Sequence, residues 1–372
     1  MQLFTLLLLL AAVLLAASCS ESPEPPESPE PPESPESIGP AATGVRLGDL
    51  TWLEAERVLT PEAVVVLPLG AACKEHGPHL ILRNDELLAR YYADRVLQEA
   101  DVVMAPLLNY HYYPAFLEYP GSASLRLETA QDVVVDVVRT LAAFGPRRFY
   151  VLNTGVSTVR PLEAAALVLE RQGILLRYTD VHELAGAVRD EVSEQEGGSH
   201  ADEIETSMML YIAPETVDMS LAADDYDPHP GPLTRDPEGW GSYSATGIYG
   251  NATLAARWKG EKIVEAHVAG LLEEIEALRG ATPPEPADLS AGYAELAGTY
   301  AIGDVRFHIR HEGAQLFFRR DENPELELTP EAESSFFAGG VARVTFVRDA
   351  GGAVASLYLR HGGHDVFAAR VE

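Results

Sequence analysis

The chain has only two cysteines, Cys19 and Cys73, in 372 residues. A stapled framework of disulfides is therefore excluded as the source of its stability. Basic residues are scarce as well: 27 Lys and Arg stand against 57 Asp and Glu, a formal net charge of −30. So acidic a surface repels a phosphate backbone, which excludes nucleic acid as a partner. It suits a protein kept soluble outside the cytoplasm. Lys and Arg are also missing ahead of the one long apolar run, which begins at Leu3 and reaches Ala17.

That run ends in Ala16-Ala17-Ser18-Cys19, the small-small-Cys pattern of a bacterial lipoprotein cleavage box. The expectation is a signal segment over 1–19 and Cys19 as the lipidated first residue of an exported protein, periplasmic or at the cell surface. A plain signal peptide or an uncleaved anchor is the alternative. With Cys19 lipidated, Cys73 has no partner. Its place at the end of an apolar strand points to a small buried residue rather than a nucleophile, which would need a base and an electropositive setting. Residues 20–43 repeat Ser, Pro and Glu. They cannot bury apolar surface and read as an extended stalk that holds the body off a membrane.

From 44 to 281 strand and helix patterns alternate. Ala63-Val64-Val65-Val66-Leu67 is a short apolar run of the kind found in buried parallel strands. Further strands are expected at 102–106, 148–152 and 174–178, and helices at 86–99, 129–144, 161–172, 203–212 and 262–278. This alternation predicts an α/β fold, a three-layer α/β/α sandwich on a mainly parallel sheet, with functional loops at the C-terminal strand ends. A Pro-rich break over 282–292 follows. Short alternating runs with Gly and Asp turns then fill 293–372, predicting a small antiparallel β domain, meander or barrel.

The chemistry concentrates in Lys74-Glu75-His76-Gly77-Pro78-His79-Leu80, followed by Asp85. Two imidazoles and several carboxylates sit in a Gly-Pro turn just after an apolar strand, where side chains can be held at one point. With Leu67-Pro68-Leu69-Gly70 before it, this stretch resembles the creatininase family of metal-dependent amidohydrolases. Further matches follow in order: Tyr119-Pro120-Gly121-Ser122, Leu152-Asn153, His200-Ala201-Asp202-Glu203-Ile204-Glu205-Thr206-Ser207, Pro214, and Gly247-Ile248-Tyr249-Gly250.

The resemblance implies hydrolysis of a C–N bond in a cyclic or linear amide at a two-metal site, often within a ring-like homo-oligomer. It puts His76 on a metal-ligand position, Asp85 on the carboxylate bridging both metals, His200 on a catalytic histidine, and Glu205, with Glu203 beside it, on an acidic site position. His79 matches the second histidine of the motif. The sequence departs from the family at three points. Lys74 replaces a Glu ligand. The loop Asn153-Thr154-Gly155-Val156-Ser157-Thr158 has Gly155 where a second ligand histidine stands. Phe116 replaces a histidine.

A Lys74 ammonium beside Asp85 would occupy the space of one cation. The expectation is thus one divalent metal per subunit, Zn or Mn from the mixed N/O ligands, held by His76, Asp85 and Glu205 or Glu203. His200, Lys74 and Glu75 would form the catalytic set, with His200 as general acid or base. His79, His111, Tyr112, Tyr113, Asn153 and Ser157 would line a pocket for a small-molecule substrate. Simpler roles stand beside these: Asp85 as a cap of the following helix, His79 as a hydrogen-bonded structural histidine, and the 110–113 aromatics as an ordinary packed loop. In a continuous helix Glu205 would lie about 140° round from His200, so the two converge only if His200 precedes the helix. A catalytically inactive binding or scaffold protein on the same fold is the rival to the hydrolase.

Overall fold

A computed structural model describes residues 43–339 and 342–371. The expected signal segment, Cys19 and nearly all of the 20–43 stalk lie outside the described residues. Among the described residues, no helix is long and apolar enough to cross a membrane.

The first part is a parallel sheet. Its strands are β1 (Val45–Arg46), β2 (Val64–Leu69), β3 (Val103–Met104), β4 (Arg148–Asn153) and β5 (Leu175–Tyr178), in the order β1-β3-β2-β4-β5 with all neighbours parallel. β2 is buried along its whole length, which is why it reads as an unbroken apolar run. Its residues alternate between two cores. Val64 and Val66 face a core built with α2 (Asn84–Glu99), α6 (Glu203–Ile212) and α7 (Arg257–Gly280). Val65, Leu67 and Leu69 face one built with α3 (Leu127–Ala142) and α4 (Val159–Glu170). The sandwich is thus the predicted three-layer α/β/α. Two short helices, α1 (Trp52–Val58) and α5 (Gly186–Val192), had no periodic signal strong enough to predict them.

The chain leaves β2 towards β3 on one side and leaves β4 towards β5 on the other. The C-terminal ends of these adjacent strands therefore open a crevice between diverging loops. The Lys74–Asp85 segment follows β2 and the Asn153–Thr158 loop follows β4, so the fold places them together. Two small ladders brace the neighbouring loops: β6 (Asp224–Asp225) with β9 (Gly250–Asn251), and β7 (Leu233–Thr234) with β8 (Ser242–Tyr243).

After the one-turn α8 (Tyr293–Leu296), eight antiparallel strands close into a barrel: β10 (Gly298–Ile302), β11 (Val305–Glu312), β12 (Gln315–Arg320), β13 (Leu326–Ala332), β14 (Ser335–Ala338), β15 (Ala342–Arg348), β16 (Val354–His361) and β17 (His364–Arg370). Closure removes the exposed edges an open meander would leave. Tyr300, Phe307, Leu316, Phe336 and Leu357 fill its interior. Arg343 ties the barrel to α3, with its guanidinium 2.7 Å from Asp132 Oδ1 while also bonded to Glu331. Arg139 of α3 donates to the same Glu331 and lies 3.8 Å from the centre of the Phe337 ring.

Candidate active site

The turn after β2 is built by short-range bonds. Lys74 N–H donates to Leu82 O at 3.0 Å, closing the segment, and Gly77 at φ +68° makes the reversal. His76 Nδ1 lies 2.9 Å from Lys74 O, an atom that can only accept. The proton is therefore on Nδ1, and Nε2 faces Asp85 Oδ1 at 2.8 Å. A nitrogen lone pair and a carboxylate oxygen at that separation require a proton or a metal ion between them. A ligand histidine oriented by a backbone carbonyl is the usual arrangement behind a metal.

Asp85 turns its other oxygen to Lys74, whose ammonium stands 2.8 Å from Oδ2, and both residues are buried, at 4% and 0% exposure. Burial opposes the charge on each. The mutual attraction outweighs it, so the Lys74 pKa is raised and the Asp85 carboxyl held well below the usual range. Asp85 does not act as a helix cap: α2 begins at Asn84, and the carboxylate is spent on Lys74 and His76.

The opposite wall comes from the start of α6. Asp202 is the N-cap, accepting from Ile204 and Glu205 N–H, and Ala201 takes φ +49°. His200 therefore precedes the helix, the condition under which it converges with Glu205. Their Nδ1 and Oε2 atoms are 3.5 Å apart. On its other side His200 Nε2 is 3.1 Å from Glu75 Oε2. Backbone pairing with Tyr249 fixes this segment. Phe116 packs its ring 4.3 Å from the imidazole of His200 and 5.0 Å from Lys74 Nζ. The site thus joins Lys74, Glu75, His76, Asp85, His200 and Glu205.

Ligand atoms of His76, His200 and Glu205 lie within 4.8 Å of one another. With neutral imidazoles, the carboxylates of Glu75, Asp85 and Glu205 against the Lys74 ammonium leave two negative charges, the complement of one divalent ion. The grouped donors suit a divalent ion. Lys74 takes up Asp85 Oδ2, and Gly155 offers no ligand: its neighbours Asn153 and Thr158 spend their side chains on the loop itself.

The remaining expected residues divide. Glu203 does not reach the site. It is fully buried 56 residues from its main partner, Lys259, and also accepts from Glu194 and Gln195 N–H at 2.8 Å each. It anchors the 193–199 loop, because a buried carboxylate with a lysine partner has no charge left for a metal. Local sequence held no sign of Lys259. His79 is structural, with Nε2 2.8 Å from Thr206 Oγ1 and a pKa lowered to about 4 by burial. Tyr113, Asn153 and Ser157 line a cavity of about 710 Å³ together with Lys74, His200 and Glu205, whereas His111 and Tyr112 do not. Gly247, inside a motif noted only as a family match, packs against Glu75 at φ +85°; a Cβ there would overlap the carboxylate.

Comparison with known proteins identifies the family. Residues 48–275 match the family model described as Creatininase: Creatinine amidohydrolase. A creatinine amidohydrolase of Pseudomonas putida is 30% identical over 64% of this chain and 98% of its own. A 3-dehydro-scyllo-inosose hydrolase of Thermotoga maritima is 26% identical over 63% and 83%. The crystal structure of a creatininase superposes with TM-score 0.55 at 28% identity, covering 64% of this chain and 99% of that one. Related creatininase structures are described as a Zn-Zn type and as a Mn form.

Proposed function

The chain belongs to the creatininase family, and from that membership we propose that it hydrolyses a C–N bond of an amide at a site with one divalent cation, Zn or Mn, and one built-in ammonium. The observation that carries this reading is the Lys74–Asp85 pair at 2.8 Å, seated beside the His76, His200 and Glu205 donors. One cationic position is filled by the protein, and two negative charges await the other.

His76, Glu205 and His200 would hold the ion, which when bound supplies a Lewis acid and lowers the pKa of water. The protein's own groups account for the rest. Lys74, kept charged by Asp85, presents a fixed positive charge to the cavity where the carbonyl oxygen of the amide gains negative charge. Glu75, braced by Gly77 N–H and oriented by His200 Nε2, accepts the proton of the attacking water and itself returns it to the leaving nitrogen. The products are a carboxylate and an amine. Export on a Cys19 lipid anchor and assembly into a homo-oligomer complete the proposal.

Metal analysis together with an amidase screen tests it. About one ion per chain and activity that Glu205→Gln abolishes are expected; a protein with no metal after reconstitution overturns the reading. The rival, an inactive binding protein, is favoured by one specific observation: both Asp85 oxygens are already engaged. Metal-independent ligand binding without turnover would establish it.

A further inference from the structure

Of the grouped donors His76, His200 and Glu205, the last two come from one turn of chain, and each has its own support. Backbone pairing fixes His200: Tyr249 N–H donates to His200 O at 2.9 Å. Asp202 fixes the start of the helix that carries Glu205, its Oδ1 accepting from Ile204 N–H at 2.9 Å and Glu205 N–H at 3.0 Å. Both supports meet at one further side chain. Gln195 Nε2 donates to Asp202 Oδ2 at 2.6 Å. Gln195 Oε1 accepts from Asn251 N–H at 3.0 Å, just beyond Tyr249, and from Glu203 N–H at 3.2 Å.

Few side chains could serve at this junction. Asp202 is 2% exposed, with Glu203 and Glu205 close by in the chain. A partner for its Oδ2 must donate, whereas a partner for the Asn251 and Glu203 amides must accept. Lysine or arginine donates but cannot accept, and its charge would repel a divalent ion from the adjoining donors. An ionised carboxylate accepts but cannot donate, and it would set like charge against Asp202. A primary amide does both and carries no net charge. Room is equally restricted. A Cβ on Gly250 would lie 2.6 Å from Asp202 Cβ and 2.8 Å from Gln195 Oε1, so β9 closes over the pair. Gln195 also lines the cavity beside Glu196, Gly197 and Ser199, so one clamp holds both that wall and the donors.

We infer that Gln195 is a positioning residue: it touches neither the ion nor the reacting atoms, but holds the His200 and Glu205 donors in register by clamping the first turn of α6 to β9. Its part in metal binding rests on the one-cation reading above; its hold on His200 and Glu205 does not.

The test measures Zn affinity of the full chain by chelator competition, with thermal unfolding of the metal-free protein alongside. Gln195→Met keeps the length but loses the three bonds, and Gln195→Glu sets like charges face to face. Each should weaken Zn binding by at least about tenfold, the usual cost of losing a partner behind a ligand. Gln195→Glu combined with Asp202→Asn exchanges the amide and the carboxylate and keeps one donor facing one acceptor. It should restore affinity to within about twofold of wild type. Unchanged affinity in the single variants, whatever their stability, overturns the inference, and so does a double variant as weak as the singles. If the single variants do not fold, the double variant decides alone: wild-type affinity supports the clamp, and weak affinity or failure to fold refutes it. A wild type that binds no Zn removes the one-cation reading instead. The clamp is then read from the His200 ring signals in NMR spectra, assigned with His200→Gln. They should move in Gln195→Glu and return in the double variant; signals that Gln195→Glu leaves in place overturn the clamp.

Discussion

The Lys74 ammonium and the Asp85 carboxylate meet at 2.8 Å with almost no exposure to solvent. Each group is costly to bury alone and tolerable only with the other. The pair is therefore a structural lock, and it keeps a fixed positive charge inside the site.

Removing one partner should expose that cost. Lys74→Met is expected to destabilise the fold by about 3–5 kcal/mol, because Asp85 is left charged and buried. Adding Asp85→Asn should recover most of the loss. Urea unfolding of the two single variants and the double variant gives the coupling directly. A Lys74→Met loss under about 1 kcal/mol would mean the pair is open in solution.

Metal stoichiometry should respond to the same position. Lys74→Glu combined with Gly155→His returns a carboxylate and an imidazole to the second cation's place. Bound Zn or Mn should rise from about one to about two per chain, read by elemental analysis after desalting. An unchanged ratio would show that Lys74 and Gly155 do not define that position.

Two neighbouring glutamates should behave oppositely. Glu205→Gln removes a donor and should weaken metal binding by at least about tenfold, with little effect on the metal-free fold. Glu203→Gln breaks the Lys259 pair and should lower stability by about 3–5 kcal/mol, whereas the metal-binding donors remain. Chelator competition and thermal unfolding of both variants separate the two roles. Equal effects on metal affinity would return Glu203 to the site.

Gly247→Ala should act on Glu75 without touching its chemistry. The added Cβ would overlap the carboxylate, at a φ of +85° that alanine tolerates poorly. Loss of activity out of proportion to loss of stability is the expected outcome. If both fall in step, Gly247 serves the fold alone.

Acid should weaken the protein through its buried histidines. Burial lowers His79, His111 and His267 to about 4, so the folded state binds fewer protons than the unfolded state between 4 and the ordinary 6.5. Stability is then complete above pH 6.5 and falls as pH drops, by about 1.4 kcal/mol per pH unit for each histidine. Asp202, raised to about 6 chiefly by burial, opposes this below pH 6 with one group against three. Urea midpoints at pH 7 and pH 5 measure the net loss. His267→Gln should reduce the slope by one histidine's share; a midpoint independent of pH across this window would contradict the assignment.

Much of this architecture was legible because parallel strands and amphipathic helices carry their own periods. β2 declared itself as a continuous apolar run, and the α6 boundaries were read directly from Glu203 to Ile212. The meeting of His200 and Glu205 was legible only as a condition, since it depends on the positive φ of Ala201, which no residue type announced. Glu203 was misplaced because proximity in sequence to a site is not proximity in space, and its partner lies on another helix. His79 matched a motif position, but its hydroxyl partner Thr206 is still further off, 127 residues along the chain. Most of the barrel's strands were visible as alternating runs, though β13 and β14 were not; meander and barrel stayed open alternatives, because the pairing of the first strand with the last is not a local property.

That closure sets the tempo of folding. Seven of the eight strand pairings join neighbours in sequence and can form as hairpins. The eighth sets Tyr300 opposite Arg370 and Ala301 opposite Ala369. Its loop-closure cost must be met before its contacts are gained. The β10–β17 seam is therefore the slow step of the barrel, and until it forms both strands present open hydrogen-bonding edges to any passing chain.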